Sequence, residues 1–418
     1  MNISLAIVPF LLIPYDSLTN LLGFDPNQTA ETLPLTAIFS ILYLLIRRGR
    51  IQSTRNSTHV FVYLVAATTW IVLVTTCNIL AEASGTIRID DNMRVQTAFR
   101  QGISLGAGLC TYLMFEDALL RIGWRTAFRW ITIGALPSLV FCGIQLLRGS
   151  SRLQGFSSEP SQLADMLVFA FFPACAYANL KSSSRIILMA LGAAALLLSF
   201  SGTGLMKAAF ALLCLSAVHG RLIRGAFLVT CLLILTYQIL LFFPDNYIFG
   251  LWNLFQSFLD SGTLIGGSFI DRFFGFVSPL ETLRELHGWF GFGLGGDTVY
   301  FDYIFNPDTA EAIRQVKGAI ASISSLQAKV LLYGGLLGYS LYFTAWWSAW
   351  RTTSKLHPAR FMLPAIFAAS VFSLAPFFLP YVWLWLAIAT TTQVRRTYSV
   401  LPSMAEIPRD VLPGHRIV

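Results

Sequence analysis

Charge is what this 418-residue chain has least of. Only 12% of its residues are charged, whereas 55% are hydrophobic and the mean hydropathy is +0.65. Soluble domains carry nearer a quarter charged residues, so an ordinary cytosolic enzyme is excluded. Disorder is excluded as well, because it requires low hydrophobicity. Histidine and cysteine are scarce, at five and six residues. The cysteines (Cys77, Cys110, Cys142, Cys175, Cys214, Cys231) form no CxxC pair and all fall in apolar stretches, which argues against disulfides and a structural zinc site. There is no HExxH, no GxSxG and no P-loop. The first apolar run, Leu5–Leu22, lacks the preceding basic residues and the small-residue cleavage site of a secretory signal.

Long apolar runs are what the chain has instead. About 20 apolar residues make one membrane crossing. Runs near 3–20, 29–46, 58–80, 97–118, 128–147, 161–180, 185–200, 203–219, 222–243, 325–350, 361–376 and 380–394 predict an all-α polytopic membrane protein of about twelve transmembrane helices. The last two come from one stretch carrying Pro364, Pro376 and Pro380, which reads as a two-crossing hairpin. Basic residues fall in alternate loops: Arg47, Arg48, Arg50 and Arg55; Arg121, Arg125 and Arg129; Lys181 and Arg185; Arg221 and Arg224; Arg351, Lys355 and Arg360; then Arg395, Arg396, Arg409 and Arg416. Among acidic residues only Glu116, Asp117, Glu406 and Asp410 join them. The positive-inside rule makes that side cytoplasmic, with both termini. Topology thus accounts for the formal charge of +8 without a nucleic-acid partner. Residues 1–401 read as a single transmembrane domain and 402–418 as a cytoplasmic tail. One external segment is large: Pro244–Ser322, between crossings nine and ten, with amphipathic patterns at Asn246–Leu259 and Phe269–His287.

Ionisable residues at or near membrane depth on the external side are candidates for function. Glu159 precedes Pro160, a residue suited to a first helical turn, with Arg148 and Arg152 nearby. It reads either as a helix cap or as a proton acceptor. Asp165, one to two turns deeper, calls for a partner or a water-filled cavity. Lys207 follows the turn Ser199-Phe-Ser-Gly-Thr-Gly204, and Lys329 lies at an equivalent depth in crossing ten. Each lysine alone can snorkel; together they point to an anion site. In the large loop Arg272 and Arg284 have the planar fork that suits phosphate, although Arg284 can also pair with Glu281 or Glu285. His287 is the one external histidine and a second candidate base. Gly291, Gly293 and Gly296 fit GxGxxG, but no strand precedes them, so a dinucleotide site is rejected.

These segments, in this order, resemble the superfamily of bacterial O-antigen polymerases and O-antigen ligases, the Wzy-type polymerases above all. The resemblance rests on four stretches within residues 145–345. They are Arg152…Gly155-Phe156…Glu159-Pro160-Ser161 opening a helix, the Ser199-Phe-Ser201…Thr203-Gly204 turn, the loop ending Gly291-Phe-Gly293-Leu-Gly295, and Tyr333-Gly-Gly-Leu-Leu-Gly338. It implies a GT-C-like fold with one large helical periplasmic loop, in the bacterial inner membrane. The implied reaction joins undecaprenyl-pyrophosphate-linked oligosaccharide repeat units without nucleotide sugar, metal or other cofactor. Partners would be the lipid-linked glycan, the bilayer and a chain-length-regulating co-polymerase. Such polymerases carry an arginine, ten residues, then a glycine; Arg284 and Gly295 keep that spacing, and Arg148 and Arg152 do not. Ligases have a histidine where this chain has Ser324 or Ser325, which favours a polymerase. The roles implied are pyrophosphate and glycan binding by Arg152, Lys207, Arg272, Arg284, Lys329 and Gly295, with Glu159 or His287 as base. The competing reading is a ligase, or a lipid-linked-glycan flippase or secondary transporter.

Overall fold

The computed structural model describes residues 2–15, 35–47, 50–83, 91–150, 152–157, 159–242, 275–286, 288–305, 310, 323–355, 357–373, 377 and 379–391. Within them every regular element is a helix. The first is α1 (Asn2–Leu12), followed by a 3-10 turn (Ile13–Tyr15), α2 (Leu35–Arg47), α3 (Arg55–Ala83), α4 (Asp91–Ile122) and α5 (Trp124–Leu147). Next come α6 (Pro160–Met166), a π turn (Leu167–Phe171), α7 (Phe172–Tyr177), α8 (Ser182–Leu198), α9 (Gly202–Val218) and α10 (Leu222–Phe242). The large loop contributes α11 (Val277–Glu285), α12 (Gly296–Val299) and α13 (Phe301–Ile304), and the chain ends in α14 (Leu326–Thr352), α15 (Ala359–Phe372) and α16 (Pro380–Thr391). All twelve apolar runs overlap helix where they fall within the described residues. Among the described residues three segments, Arg55–Ala81, Val95–Ile122 and Trp124–Leu147, are long and apolar enough to cross a membrane by length and composition. The expected helix at Asn246–Leu259 lies outside the described residues, and of Phe269–His287 only α11 lies within them.

The packing is organised around α16. Its sequence, PYVWLWLAIATT, is apolar on every side, which suits only a fully enclosed helix, and Pro380 through Thr390 are all buried. It lies against α4, α15 and α14, while α14 packs along α3 and α9 packs along α15. Its tryptophans do more than fill space. Pro173 has no N–H to offer the carbonyl of Phe169, four residues back, and the chain answers with the π turn. The freed Phe169 carbonyl accepts from Trp385 Nε1 at 2.5 Å. Trp383 Nε1 likewise donates to the Phe377 carbonyl at 2.6 Å.

A second irregularity interrupts α14. Gly335 sits at φ 59°, ψ −160°, inside an otherwise helical run. The loop 289–293 fills the break. Phe292 N–H donates to the Leu332 carbonyl (2.7 Å), Gly293 N–H to Tyr333 (3.1 Å), and Leu336 N–H to Trp289 (2.9 Å). Trp70 Nε1 donates to the Gly334 carbonyl at 2.8 Å. An apolar surround leaves no water for such groups, so each must find a protein partner.

The helix ends sort onto two opposite ends of the bundle. At one, Asp117 gathers Tyr43 Oη (2.6 Å), Gln52 N–H (2.8 Å), and Arg121 through Nε (2.8 Å) and Nη2 (2.9 Å), with Arg47 Nε 3.3 Å away. Glu116 accepts from Thr54 N–H at 2.9 Å, and Thr54 Oγ1 donates to the Thr390 carbonyl at 3.2 Å. Trp350 and Arg360 exchange side chain for carbonyl, and the guanidinium lies 3.9 Å over the indole. At the other end the glycine-rich loop rests on α3 and α4: Leu294 N–H donates to Thr75 Oγ1 at 2.8 Å, and Gly295 abuts Thr97 and Ala98. Thr97 and Asp117 lie about 30 Å apart along α4 at ~1.5 Å per residue, the thickness of a hydrocarbon core.

His357, in the turn between α14 and α15, meets Trp124 edge-on at 4.9 Å and accepts from Ala359 N–H at 3.2 Å through Nδ1. Burial pushes its imidazole from 6.5 down to about 4. The unfolded chain therefore binds the extra proton first, and stability contributed by the neutral ring is lost as pH falls from about 6.5 towards 4. Replacing His357→Phe should flatten the fall in detergent-solubilised melting temperature between pH 7 and 5. An unchanged slope would show that other groups set it.

Candidate functional site

At the glycine-loop end, two buried lysines each meet an aspartate and a tyrosine. The first group is built from α6, α9 and α16. Pro160 at the first position of α6 starts that helix, and Asp165 follows one turn later. Ser201 caps α9 by accepting from Gly204 N–H at 3.1 Å, which sets Lys207 in the next turn. Gly204 lets α9 approach α6 closely, since a Cβ there would strike that of Ala164. At that approach Lys207 Nζ donates to Asp165 Oδ1, and Tyr381 Oη donates to Asp165 Oδ2 at 3.2 Å. The second group joins the loop to α14. Ser325 caps α14 through Ala328 N–H at 3.1 Å. Lys329 Nζ lies 3.7 Å from Asp297 Oδ2, and Tyr333 Oη donates to Asp297 Oδ1 at 2.6 Å. Ile323 N–H donates to Asp297 Oδ2 at 3.3 Å. Lys207, Asp165, Lys329, Asp297, Tyr333 and Tyr381 are all buried. The two groups approach each other at Phe377, whose ring lies tilted 5.9 Å from that of Tyr333 and which precedes Tyr381 by four residues.

These contacts change how the lysines read. Two ammonium groups at matching depth suggest an anion site, and among the described residues each also meets a carboxylate, Lys207 that of Asp165 and Lys329 that of Asp297. Asp165, expected to need a partner, meets Lys207 and Tyr381 among the described residues. Glu159 is exposed at the first position before α6; its side chain accepts from Ser161 Oγ at 3.0 Å and does not cap the helix. Arg152 is half-buried in the loop between α5 and α6. That loop is held by Gln145, whose Oε1 accepts from Gln154 and Gly155 N–H at 3.1 and 3.0 Å. Arg284 is exposed in the last turn of α11 and makes no ion pair among the described residues, so pairing with Glu281 or Glu285 is not adopted. Gly295 is left-handed at φ 78° and precedes α12. A Cβ there would lie 3.2 Å from Thr97 Cγ2, so this glycine sets the approach of the loop to α4. Arg272 and His287 lie outside the described residues.

Sequence reasoning left out Asp297, Tyr333 and Tyr381 as partners. Lys329 and Tyr333 are spaced i, i+4 on one helix, a pattern that puts both on one face. Nothing in the sequence links Tyr381 to Asp165. No protein-family model matches this chain, and no curated protein matches it either.

Buried ion pairs give a direct test. Removing one partner leaves an uncompensated charge and costs about 3–5 kcal/mol, whereas replacing both with apolar residues is often neutral. Lys207→Met and Asp165→Leu should therefore each lower the melting temperature sharply, and the double variant should recover most of the loss. Additive single effects would show that the two side chains do not act as a pair.

Proposed function

We propose that this protein is a polymerase of lipid-linked oligosaccharides, similar in kind to the Wzy-type enzymes, acting at the outer face of a bacterial inner membrane. Twelve crossings with both termini cytoplasmic belong to this reading. One observation carries it: the four stretches that bear the family resemblance, scattered over residues 152–338, gather at one end of the bundle. The loop before α6 meets the end of α8, where Leu153 N–H donates to the Leu198 carbonyl at 3.2 Å. Asp165 and Lys207 then join the helix after Glu159 to the one after the Ser199–Gly204 turn. The glycine-rich loop enters the break at Gly334–Gly335. Tyr381 and Phe377 link these two halves. The arginine-rich ends lie at the opposite end, as a site facing outward requires.

In the proposed reaction a sugar hydroxyl of one lipid-linked unit attacks the anomeric carbon of another. The bond from that carbon to pyrophosphate breaks, and the hydroxyl proton passes to a carboxylate. Glu159 takes that proton in this reading, supported by its exposure, its side chain not capping the helix, and its position just before the helix that carries Asp165. The leaving pyrophosphate is already stable, so the chain's task is to hold its charge. Exposed Arg284 and half-buried Arg152 serve that role, with Arg272 beyond the described residues. Lys207 and Lys329, paired with aspartates, shape the floor beneath.

Purified protein in vesicles, given undecaprenyl-pyrophosphate oligosaccharide, should yield a ladder of longer lipid-linked chains. Glu159→Gln should cut the rate by about 10²–10⁴-fold, the range for losing a general base, while substrate still binds. Arg284→Ala should lose about 1.5–3 kcal/mol, the worth of a hydrogen bond to a charged group, and Arg284→Lys should recover part of it. His287→Ala should be milder. A normal ladder from both Glu159→Gln and Arg284→Ala would rule out this site. The orientation has its own check. A cysteine at exposed Ser150 should react with a membrane-impermeant reagent added to intact cells, and one at exposed Ser53 should not. The reverse pattern would invert the topology.

A further inference from the structure

In an unbroken helix the amide of Leu336 donates to the carbonyl of Leu332, four residues back. In α14 both groups have exchanged that partner for the loop. Leu332 accepts from Phe292 N–H at 2.7 Å, and Leu336 donates to the Trp289 carbonyl at 2.9 Å. The Tyr333 carbonyl, owed to residue 337, accepts from Gly293 N–H at 3.1 Å. The loop thus stands between a donor and an acceptor that would otherwise bond each other. Glycine is required on both sides of this splice. Gly291 and Gly335 hold φ of 99° and 59°, and a Cβ on Gly291 would lie 2.5 Å from the Tyr333 carbonyl oxygen. One on Gly335 would strike the Trp289 carbonyl oxygen.

We propose that residues 289–293 are a removable clasp, and that α14 has a second state in which it closes into a continuous helix when the clasp leaves. On the side of α14 hydrogen bonds are exchanged between the two states, because the Leu332 carbonyl and Leu336 amide satisfy one another once the loop is out, while the amides of Phe292 and Gly293 and the Trp289 carbonyl pass to water on the withdrawn loop. Asp297 is the latch. It lies four residues beyond Gly293, and Tyr333 Oη holds its carboxylate at 2.6 Å with Lys329 Nζ 3.7 Å away. Both of those residues belong to the part of α14 before the break. Closing the break rotates that part relative to Gly338 and the turns beyond, and carries Lys329 and Tyr333 with it. Movement of the large loop is thereby coupled to the charged floor of the site. The inference does not depend on what the site binds.

Gly335→Ala separates the two states. Alanine is strained at φ 59° and collides with Trp289 in the clasped form, yet it is preferred over glycine in a continuous helix. Trp289 and Leu336 are both exposed and joined across the splice by the Leu336 N–H to Trp289 carbonyl bond at 2.9 Å, which makes them the pair to cross-link. The test uses full-length protein in nanodiscs with Trp289→Cys and Leu336→Cys, and with the exposed native Cys77 and Cys231 replaced by Ser. Oxidation should cross-link this parent readily. Adding Gly335→Ala should abolish most of the cross-link while the amide of Leu336 stays protected from hydrogen exchange, because it has regained Leu332. Adding Asp297→Asn or Tyr333→Phe, which weaken only the latch, should reduce cross-linking by a smaller factor. Undiminished cross-linking in folded Gly335→Ala protein would overturn the clasp, and so would rapid exchange at Leu336, which would mean fraying in place of closure. If Gly335→Ala does not fold, the latch variants decide: cross-linking at the parent rate in both would overturn the proposal.

Discussion

A chain this apolar has no water inside it to satisfy a stray amide or carbonyl, and that constraint governs its architecture. Regular helix meets it automatically, and each departure from regular helix must be met by another part of the molecule. Two departures stand out. The π turn at Leu167–Phe171 accommodates Pro173 and passes the Phe169 carbonyl to Trp385. The break at Gly335 is stitched by backbone from the large loop and by Trp70. Both repairs draw on residues far away in sequence, so each also fixes where two distant elements meet.

The same economy applies to charge. Isolated charges are expensive in such surroundings, and buried Lys207, Lys329, Asp117, Asp165 and Asp297 all lie in ion pairs. Asp165 and Asp297 hold Lys207 and Lys329, each with a tyrosine that occupies the remaining oxygen. At the far end Asp117 serves two arginines, a tyrosine and a backbone amide. Paired charges of this kind add little net stability, because desolvation offsets their attraction. What they add is position: Asp165 ties α6 to α9 and α16, and Asp297 ties the large loop to α14.

For the proposed glycan transfer this arrangement separates two tasks. Glu159 and Arg284, the groups proposed to meet the substrate, are both exposed. Beneath them, paired lysines and rigid aromatic contacts hold the helices that present them. A substrate built on a long lipid suits such a layout, since its apolar tail can remain in the bilayer while the reacting sugar and pyrophosphate reach the outer surface.

Much of the helical framework was legible from the sequence. Apolar run length marked where α3, α4, α5 and α14 lie, and the alternation of arginines separated the two ends of the bundle, because both signals are local sums over neighbouring residues. Pro160 was legible as the start of a helix, but the runs read as crossings at 161–180 and 325–350 passed straight through Pro173 and Gly335, where the structure departs from regular helix. Parts of the site were legible too: Asp165 announced a missing partner, and Lys207 and Lys329 announced matching depth. Which carboxylate each lysine meets, and that Tyr381 and Tyr333 complete the groups, was decided by packing alone. Asp165 and Tyr381 stand 216 positions apart, a separation at which neither periodicity nor spacing carries information. Helix formation needs only nearby residues, whereas ion pairs and carbonyl repairs form between whatever surfaces the tertiary fold brings together.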